Sequence, residues 1–398
     1  MKLTPAGWAV LTAAAACYAA AVATGYPELG EIAAGGAVAV AVAVAWVLPV
    51  PRLDVSREIA PARVARGDPA VGVVTVTSAG HRVRAGLRAT DPCGDRAVAV
   101  DIPRLSPGRG RTVSYRLPTQ RRGEIPVGPL RVTRCDLLGL ARRERQYGEP
   151  VTLIVRPQIY PLPLLPSGRA HHLEGPASDN VPSGTVTFHA LREYVPGDDL
   201  RHIHWRATAR TGTLMVRQLV DASLPRTTVV LDLRPASYLA ADEAGHRRSG
   251  DGGQAASERF EAAVDAAASV MMAVARQGFP VRVLSTAGPL LESKGDRAGA
   301  GALLDRFAPV VPSAAGSLAA PLAVCHGRGE GSLVVVTGNL DPAETGQVAA
   351  AGAGFEHTVL IRLAAAAGAS PTPRGVAVID AGGPAGIRAG WQQAAGGR

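Results

Sequence analysis

The chain opens on two long apolar runs: from Leu3 to Pro27, and again from Ile32 to Pro51, no Asp, Glu, Lys or Arg occurs. Each run is long enough to cross a hydrocarbon core of about 30 Å as a helix. The second holds Ile32, six valines and Leu48, worth roughly −2.5 to −5 kcal/mol of insertion at about −0.3 to −0.6 per residue. Its period-two stretch Ala37–Trp46 does not predict a half-buried strand, because both alternating residues are apolar. A helical hairpin through the membrane over residues 1–51 is the expectation. A buried core helix and a cleaved leader ending near "AVAT" are the alternatives.

Between residues 52 and 160 the apolar positions come in short, alternating or β-branched runs. Ala70–Ser78, Arg96–Ile102, Arg111–Leu117 and Val151–Pro157 read as strands, punctuated by "DPCGD" and "SPGRG". The pattern predicts a small β-sandwich of the immunoglobulin-like kind. Residues 161–226 carry a linker, rich in Pro, Gly, Ser and His over Pro161–Ser183, and a charged segment. His171 and His172 in this linker read as solvent-exposed.

From Thr227 to Arg398 continuous apolar strands ("TTVVLDL", "PVRVLST", "SLVVVTG", "HTVLIRL", "GVAVID") alternate with helical stretches. The first helix follows a charged, Gly-rich insertion, Asp242–Gly253. Ser257 is its candidate cap, Gly278 its stop, and Phe260, Val264, Ala267, Met271 and Val274 form one apolar stripe. Further helices are expected at Ala298–Phe307, Leu318–Cys325 and Pro342–Ala351. The pattern is that of a mainly parallel α/β sheet covered on both faces.

Charge sharpens the picture. Hydrophobic residues are 47% and charged residues 19% of the 398, and the formal net charge is +9. Arg52–Tyr160 holds 20 basic against 10 acidic residues, whereas Pro161–Arg398 balances at 21 each. The excess therefore lies beside the apolar runs. Lys2 before them and Arg52, Arg57, Arg63 and Arg66 after them put both ends of the hairpin, and the bulk of the chain, in the cytoplasm. Anionic lipid is the partner this charge predicts. Nucleic acid is not, with Trp, Tyr and Phe numbering 4, 7 and 5 and no binding motif. Cys17, Cys93, Cys135 and Cys325 show no CxxC spacing, which suits a reducing compartment and predicts neither a zinc site nor a disulfide framework.

The densest cluster of chemistry is "LREYVPGDDLRHIHWRATARTGTL", Leu191–Leu214, with four arginines, three acids and two histidines around Tyr194 and Trp205. Pro196 and Gly197 make a turn that sets Asp198 and Asp199 facing Arg192, Arg201, Arg206 and Arg210. Three readings follow. The cluster is a fold-locking ion-pair knot; or a docking surface, since Arg, Trp and Tyr dominate interface hot spots; or a catalytic or metal site built from Asp198, Asp199, His202 and His204. The third suits the residues least, because His202 and His204 at i, i+2 diverge and the arginines repel a cation.

This block, with the upstream "RRGEIPVGPLRVTRCDLLGL" and "LIVRPQIYPLP", resembles the signature of the domain-of-unknown-function 58 family. The resemblance implies an N-terminal membrane hairpin, a von Willebrand factor A-like α/β domain, a MoxR-type AAA+ ATPase as partner and no established enzymatic activity. In such A domains an Asp-x-Ser-x-Ser motif after the first strand holds Mg²⁺ through an oxygen shell. This chain has Asp232-Leu-Arg-Pro-Ala, with Arg234 and Ala236 where serines belong. Asp232 is then a degenerate metal position, paired within the protein, where a guanidinium replaces the ion's charge. Thr337 and Asp341 do not complete the shell. No GxxxxGK[ST], HExxH, GxSxG or GxGxxG occurs. The expectation is a membrane-anchored adaptor or scaffold, not an enzyme, that needs no cofactor and acts with the ATPase on envelope complexes. The alternative is a metal-dependent ligand-binding A domain or hydrolase using Asp232 and the Asp198/Asp199 loop.

Overall fold

The computed structural model describes residues 2–48, 53–78, 87–103, 105, 110–165, 186–195, 203–221, 226–239, 251–297, 299–325, 331–363 and 372–396. By contact they form two units, Met1–Gln158 with Leu304–Val310, and Ile159–Leu303 with Val311–Arg398.

In the first unit, Thr4 accepts the Gly7 N–H at 3.1 Å and starts α1 (Pro5–Thr24), with Pro5 at the first helical position. Gly25, at φ +75°, ends it. After one short turn α2 (Pro27–Val47) begins, again on a proline. Both helices are long and apolar enough to cross a membrane, and most of their surface is unburied, which is unlike the core helix of a globular domain. They pair through small residues; a Cβ at Gly36 would sit 3.0 Å from the Ala14 Cβ.

Among the described residues, eleven strands belong to this unit. They are β1 (Lys2–Leu3), β2 (Leu53–Ala60), β3 (Arg63–Ala65), β4 (Val71–Ser78), β5 (Leu87–Cys93), β6 (Arg96–Ile102), β7 (Gly110–Arg116), β8 (Gly123–Val127), β9 (Leu130–Cys135), β10 (Ala141–Tyr147) and β11 (Val151–Arg156). β2, β4 and β7 form one antiparallel sheet. The larger sheet runs β1-β10-β9-β5-β8-β11-β3, with β6 on β5. β4 shows why: its alternation buries every second residue, Gly72, Val74, Val76 and Ser78. Val55, Val74 and Val76 of the small sheet share a buried cluster with Ala89, Val100, Ile102, Leu130, Val132 and Tyr147 of the large one. Each well-buried aliphatic side chain contributes about 1.5–3 kcal/mol. Within this core Arg57 and Asp91, both fully buried, pair at 2.6 Å, the Tyr115 hydroxyl donates to the same carboxylate, and Arg57 also donates to the Glu149 carbonyl at 2.8 Å.

In the second unit β12 (Val186–Glu193) and β13 (Met215–Asp221) form an antiparallel ribbon, with α3 (Trp205–Thr211) between them in sequence. A six-stranded sheet follows. Its order is β16 (Gly288–Ser293), β15 (Val281–Ser285), β14 (Thr227–Leu231), β17 (Ser332–Thr337), β18 (His357–Arg362) and β19 (Ala377–Asp380). All neighbours are parallel except the β15–β16 edge pair. The strands read as continuous apolar runs because both faces are covered. Val230, Leu333, Val335 and Leu360 pack with Leu322 of α6 (Ala319–Cys325) and Val348 of α7 (Pro342–Gly352). α4 (Asp251–Arg276) lies against β14, β15 and β17, with Val264, Ala267, Met271 and Val274 buried.

Several expectations change. α4 begins six residues before Ser257, which lies inside the helix rather than capping it. Gln254 and Glu258 hydrogen-bond at i, i+4, and Ala255 and Ala256 favour the extra turns. The helix expected over Ala298–Phe307 breaks into α5 (Ala300–Leu303) and a 3-10 turn, Leu304–Phe307. That turn belongs to the β-rich unit, where Asp305 sits 2.6 Å from Arg156 and 3.1 Å from Arg63, and Arg122 donates to the Phe307 carbonyl. The antiparallel β16 and the terminal α8 (Pro384–Gly396) are additions. Of the expected linker, residues 161–165 are described. Pro163 lies with the second unit and accepts the buried Trp391 indole N–H at 2.7 Å. His171 and His172 fall outside the described residues.

Candidate functional site

The apolar run Thr227–Leu231 makes β14 the centre of the sheet, and Asp232 is the first residue past its carboxyl end. Its neighbour β17 ends at Thr337. Counted from β14, the strand order is 3-2-1-4-5-6, so β14 and β17 flank the point where the order reverses. In open α/β sheets that crevice is where ligands bind.

Here it is filled from within. Asp232 is fully buried. Its Oδ1 accepts the Arg234 backbone N–H and Nε at 3.0 Å each. Its Oδ2 accepts Arg234 Nη2, Ser237 Oγ and Thr337 Oγ1, each at 2.8 Å. A carboxylate offers about four lone-pair positions, and five donors already compete for them. Arg234 Nη1 donates onward to Glu344, whose other oxygen accepts the Asp341 backbone N–H at 3.2 Å. The Asp341 side chain caps α7 by accepting the Glu344 N–H at 2.7 Å. One guanidinium thus bridges two carboxylates at the carboxyl end of the central strand.

The electrostatics agree with the geometry. Burial pushes the Asp232 carboxyl up, but hydrogen bonds from Arg234 and Ser237 and the Arg234 charge hold it below its ordinary value. The hydrogen bond to Asp232 raises the Arg234 guanidinium, burial opposes this, and Glu344 adds to the rise. The Tyr238 hydroxyl donates to the Asp232 carbonyl at 2.6 Å. Burial, then the nearby carboxylate, holds that phenol well above its ordinary value.

The turn carrying Ser237, Pro235–Tyr238, needs a glycine opposite it. A Cβ at Gly338 would lie 2.0 Å from the Ser237 carbonyl oxygen. Asn339 locks the contact, donating its backbone N–H to Ser237 O and its side chain to Leu239 O, each at 2.6 Å. A second fork closes the neighbouring strand ends, with Arg362 Nε and Nη2 at 2.6 and 2.7 Å from the Asp380 carboxylate.

The signature segment is described only in part. Gly197, Asp198, Asp199, Arg201 and His202 lie outside the described residues. Arg192 sits in β12 opposite Val216, and the Tyr194 N–H donates to Leu214 O at 2.8 Å. His204 caps α3, its Nδ1 accepting the Ala207 N–H at 3.1 Å. Trp205 is 67% exposed, with Arg206 and Arg210 exposed on the same short helix. Asp232, Arg234 and Thr337 come together as their positions suggest. Asp341 instead caps a helix. Ser237 and Glu344 were not singled out: Ser237 lies five residues past Asp232, outside the Asp-x-Ser-x-Ser spacing. Only the Asp341-x-x-Glu344 capping box was there to be read.

Residues 190–370 match the family model described as "Protein of unknown function DUF58". No curated protein matches the chain. Among solved structures, a β-glucosidase of Erythrobacter marinus is similar at 15% identity over 26% of this chain and 16% of that one, with a TM-score of 0.18. The chain therefore spans under a fifth of that enzyme's length, and the likeness carries no argument about fold or chemistry.

Proposed function

From the premise that this chain belongs to the DUF58 family through residues 190–370, we propose that it is a membrane-anchored adaptor with its bulk in the cytoplasm. In this reading α1 and α2 span the bilayer, oriented by Lys2 and the arginines after α2. The β-rich unit is an immunoglobulin-like sandwich at the membrane surface, and the α/β unit is von Willebrand factor A-like. Its partner is a MoxR-type AAA+ ATPase that acts on envelope complexes.

The observation that supports the adaptor role is the saturation of Asp232 by Arg234, Ser237 and Thr337. A corner closed by its own guanidinium neither grips a ligand through a metal nor supplies a free base. Contact then falls to side chains that reach solvent, of which Trp205 is the largest on the signature segment.

The test is recovery of a MoxR-type ATPase with the detergent-solubilised full protein. Trp205→Ala should weaken binding by about 30-fold, the effect of losing a hot spot of about 2 kcal/mol. Melting should stay within about 0.5 kcal/mol of wild type, as for other exposed positions. Undiminished recovery by the variant would remove α3 from the interface. No recovery by the wild type would remove the ATPase.

A further inference from the structure

We propose that the β9–β10 hairpin tip, Asp136–Leu140, enters the headgroup–acyl boundary of the bilayer and is a second contact of this chain with anionic lipid. The proposal rests on the reading of α1 and α2 as membrane spans. Four observations carry it.

The tip presents adjacent leucines to the outside, Leu137 at 89% and Leu138 at 70% exposure. It is also fixed to the membrane helices. The Thr4 N–H donates to the Leu140 carbonyl at 3.0 Å and the Thr4 hydroxyl to the Gly139 carbonyl at 2.5 Å. A Cβ at Gly7 would lie 2.1 Å from the Leu140 oxygen, so the first turn of α1 rests directly on the tip. Leu140 and Ala141 share a buried cluster with Val40, Ala43 and Val47 of α2. Val40 to Val47 spans about 10 Å of helix, which sets the tip level with the last two turns of a membrane span.

Part of its backbone is already satisfied within the protein. A segment entering lipid must satisfy its own N–H and C=O groups. The Asp136 carboxylate accepts the Leu138 N–H at 2.9 Å and the Ala141 N–H at 2.7 Å, while Thr4 takes the two carbonyls. Gly139, at φ +69°, permits the tight turn. Behind the leucines stands a cationic collar. Arg143 faces Arg134 across the ladder, Arg142 is exposed beside them, and Arg143 donates to the Leu48 carbonyl at the end of α2 at 2.7 Å. An anionic headgroup is the counterpart that such a basic collar takes at a membrane surface. Apolar tip, partly satisfied backbone and basic collar together match a lipid interface better than a protein groove.

The experiment uses nitroxide labels on the full chain in vesicles of phosphatidylcholine with phosphatidylglycerol, dilute enough to separate copies. Cys17 and Cys135 are replaced by alanine, and Cys93 and Cys325, both buried, stay unlabelled. Labels go on Leu138→Cys, on Val38→Cys in mid-α2, and on Gln146→Cys, exposed on β10. The Val38 and Leu138 labels should collide with oxygen and lose collision with a water-soluble nickel chelate, whereas the Gln146 label should do the reverse. Without phosphatidylglycerol the Leu138 label should shift toward the chelate and the Val38 label should not. A Leu138 label that behaves like Gln146 while Val38 reads as lipid would overturn the proposal and leave the anchor standing. Equal shielding in both vesicle types would overturn its anionic part. A Val38 label open to the chelate would overturn the anchor, and the proposal with it.

Discussion

Asp232→Ala should be among the most damaging single substitutions in the α/β unit. It strips a part-buried guanidinium of its bidentate, fully buried partner and leaves Ser237 and Thr337 without their acceptor. Breaking one side of a buried pair costs about 3–5 kcal/mol, which for a unit of this size is a fall in melting temperature on the order of 10 °C. Fluorescence of Trp391, buried in the same unit, reports the transition. The pH dependence follows from the sign of the shift. Asp232 is held below its ordinary value in the folded state, so its contribution is present above the unfolded-state value of about 4 and is lost as pH falls through the folded one. Asp232→Asn should be weakened at neutral pH and should lose that part of the acid sensitivity. A variant that melts like wild type at pH 7 would mean that the corner is not a structural lock.

The β-rich unit should respond as strongly to Arg57→Ala. Arg57 and Asp91 are both buried, and removal of the guanidinium leaves a carboxylate in the core with only the Tyr115 hydroxyl as a side-chain donor among the contacts described above. Burial lifts the Asp91 carboxyl, and the charge and hydrogen bonds of Arg57 oppose it. The expected loss is again about 3–5 kcal/mol. Cys93 offers a direct readout. Its thiol is pushed up to about 11 by burial and then by the Asp91 charge, with Arg57 pulling the other way. Loss of Arg57 would therefore make the folded-state thiol less reactive, so faster modification of Cys93 in the variant has to come from opening of the unit. Arg57→Met with Asp91→Leu should recover much of the loss, since apolar replacement of a whole buried pair is often neutral. Unchanged Cys93 reactivity in Arg57→Ala would contradict this account.

What could be read in advance follows from where physical constraints are local. The apolar runs became α1 and α2 because length and lack of charge are sufficient for a spanning-length helix. β4 and β6 follow their alternation, and the buried strands β14, β17 and β18 follow their valine runs. α4 starts earlier than its apolar stripe suggests, because a serine before the stripe mimics a cap while the alanines before it carry the helix further. β16 is not legible in the sequence because an edge strand with Gly288 and Pro289 lacks a strand's composition, although it needs only one neighbour. At the site, Arg234 in place of a serine was visible one residue at a time. Ser237 and Glu344 became visible only when folding brought a 3-10 turn and a helix cap to the same carboxylate. The exposed leucines of the β9–β10 tip acquire meaning only beside α1 and α2, far from them in sequence.

The central claim is that a guanidinium, and not a cation, holds the crevice between β14 and β17. Calorimetric titration of the full chain in detergent with Mg²⁺ and with Mn²⁺ tests it most directly. The account predicts no site tighter than about millimolar, for the wild type and for Asp232→Ala alike, because five donors already compete for the lone pairs of Asp232. A stoichiometric micromolar site that disappears in Asp232→Ala would contradict it, and would make this a metal-dependent binding domain.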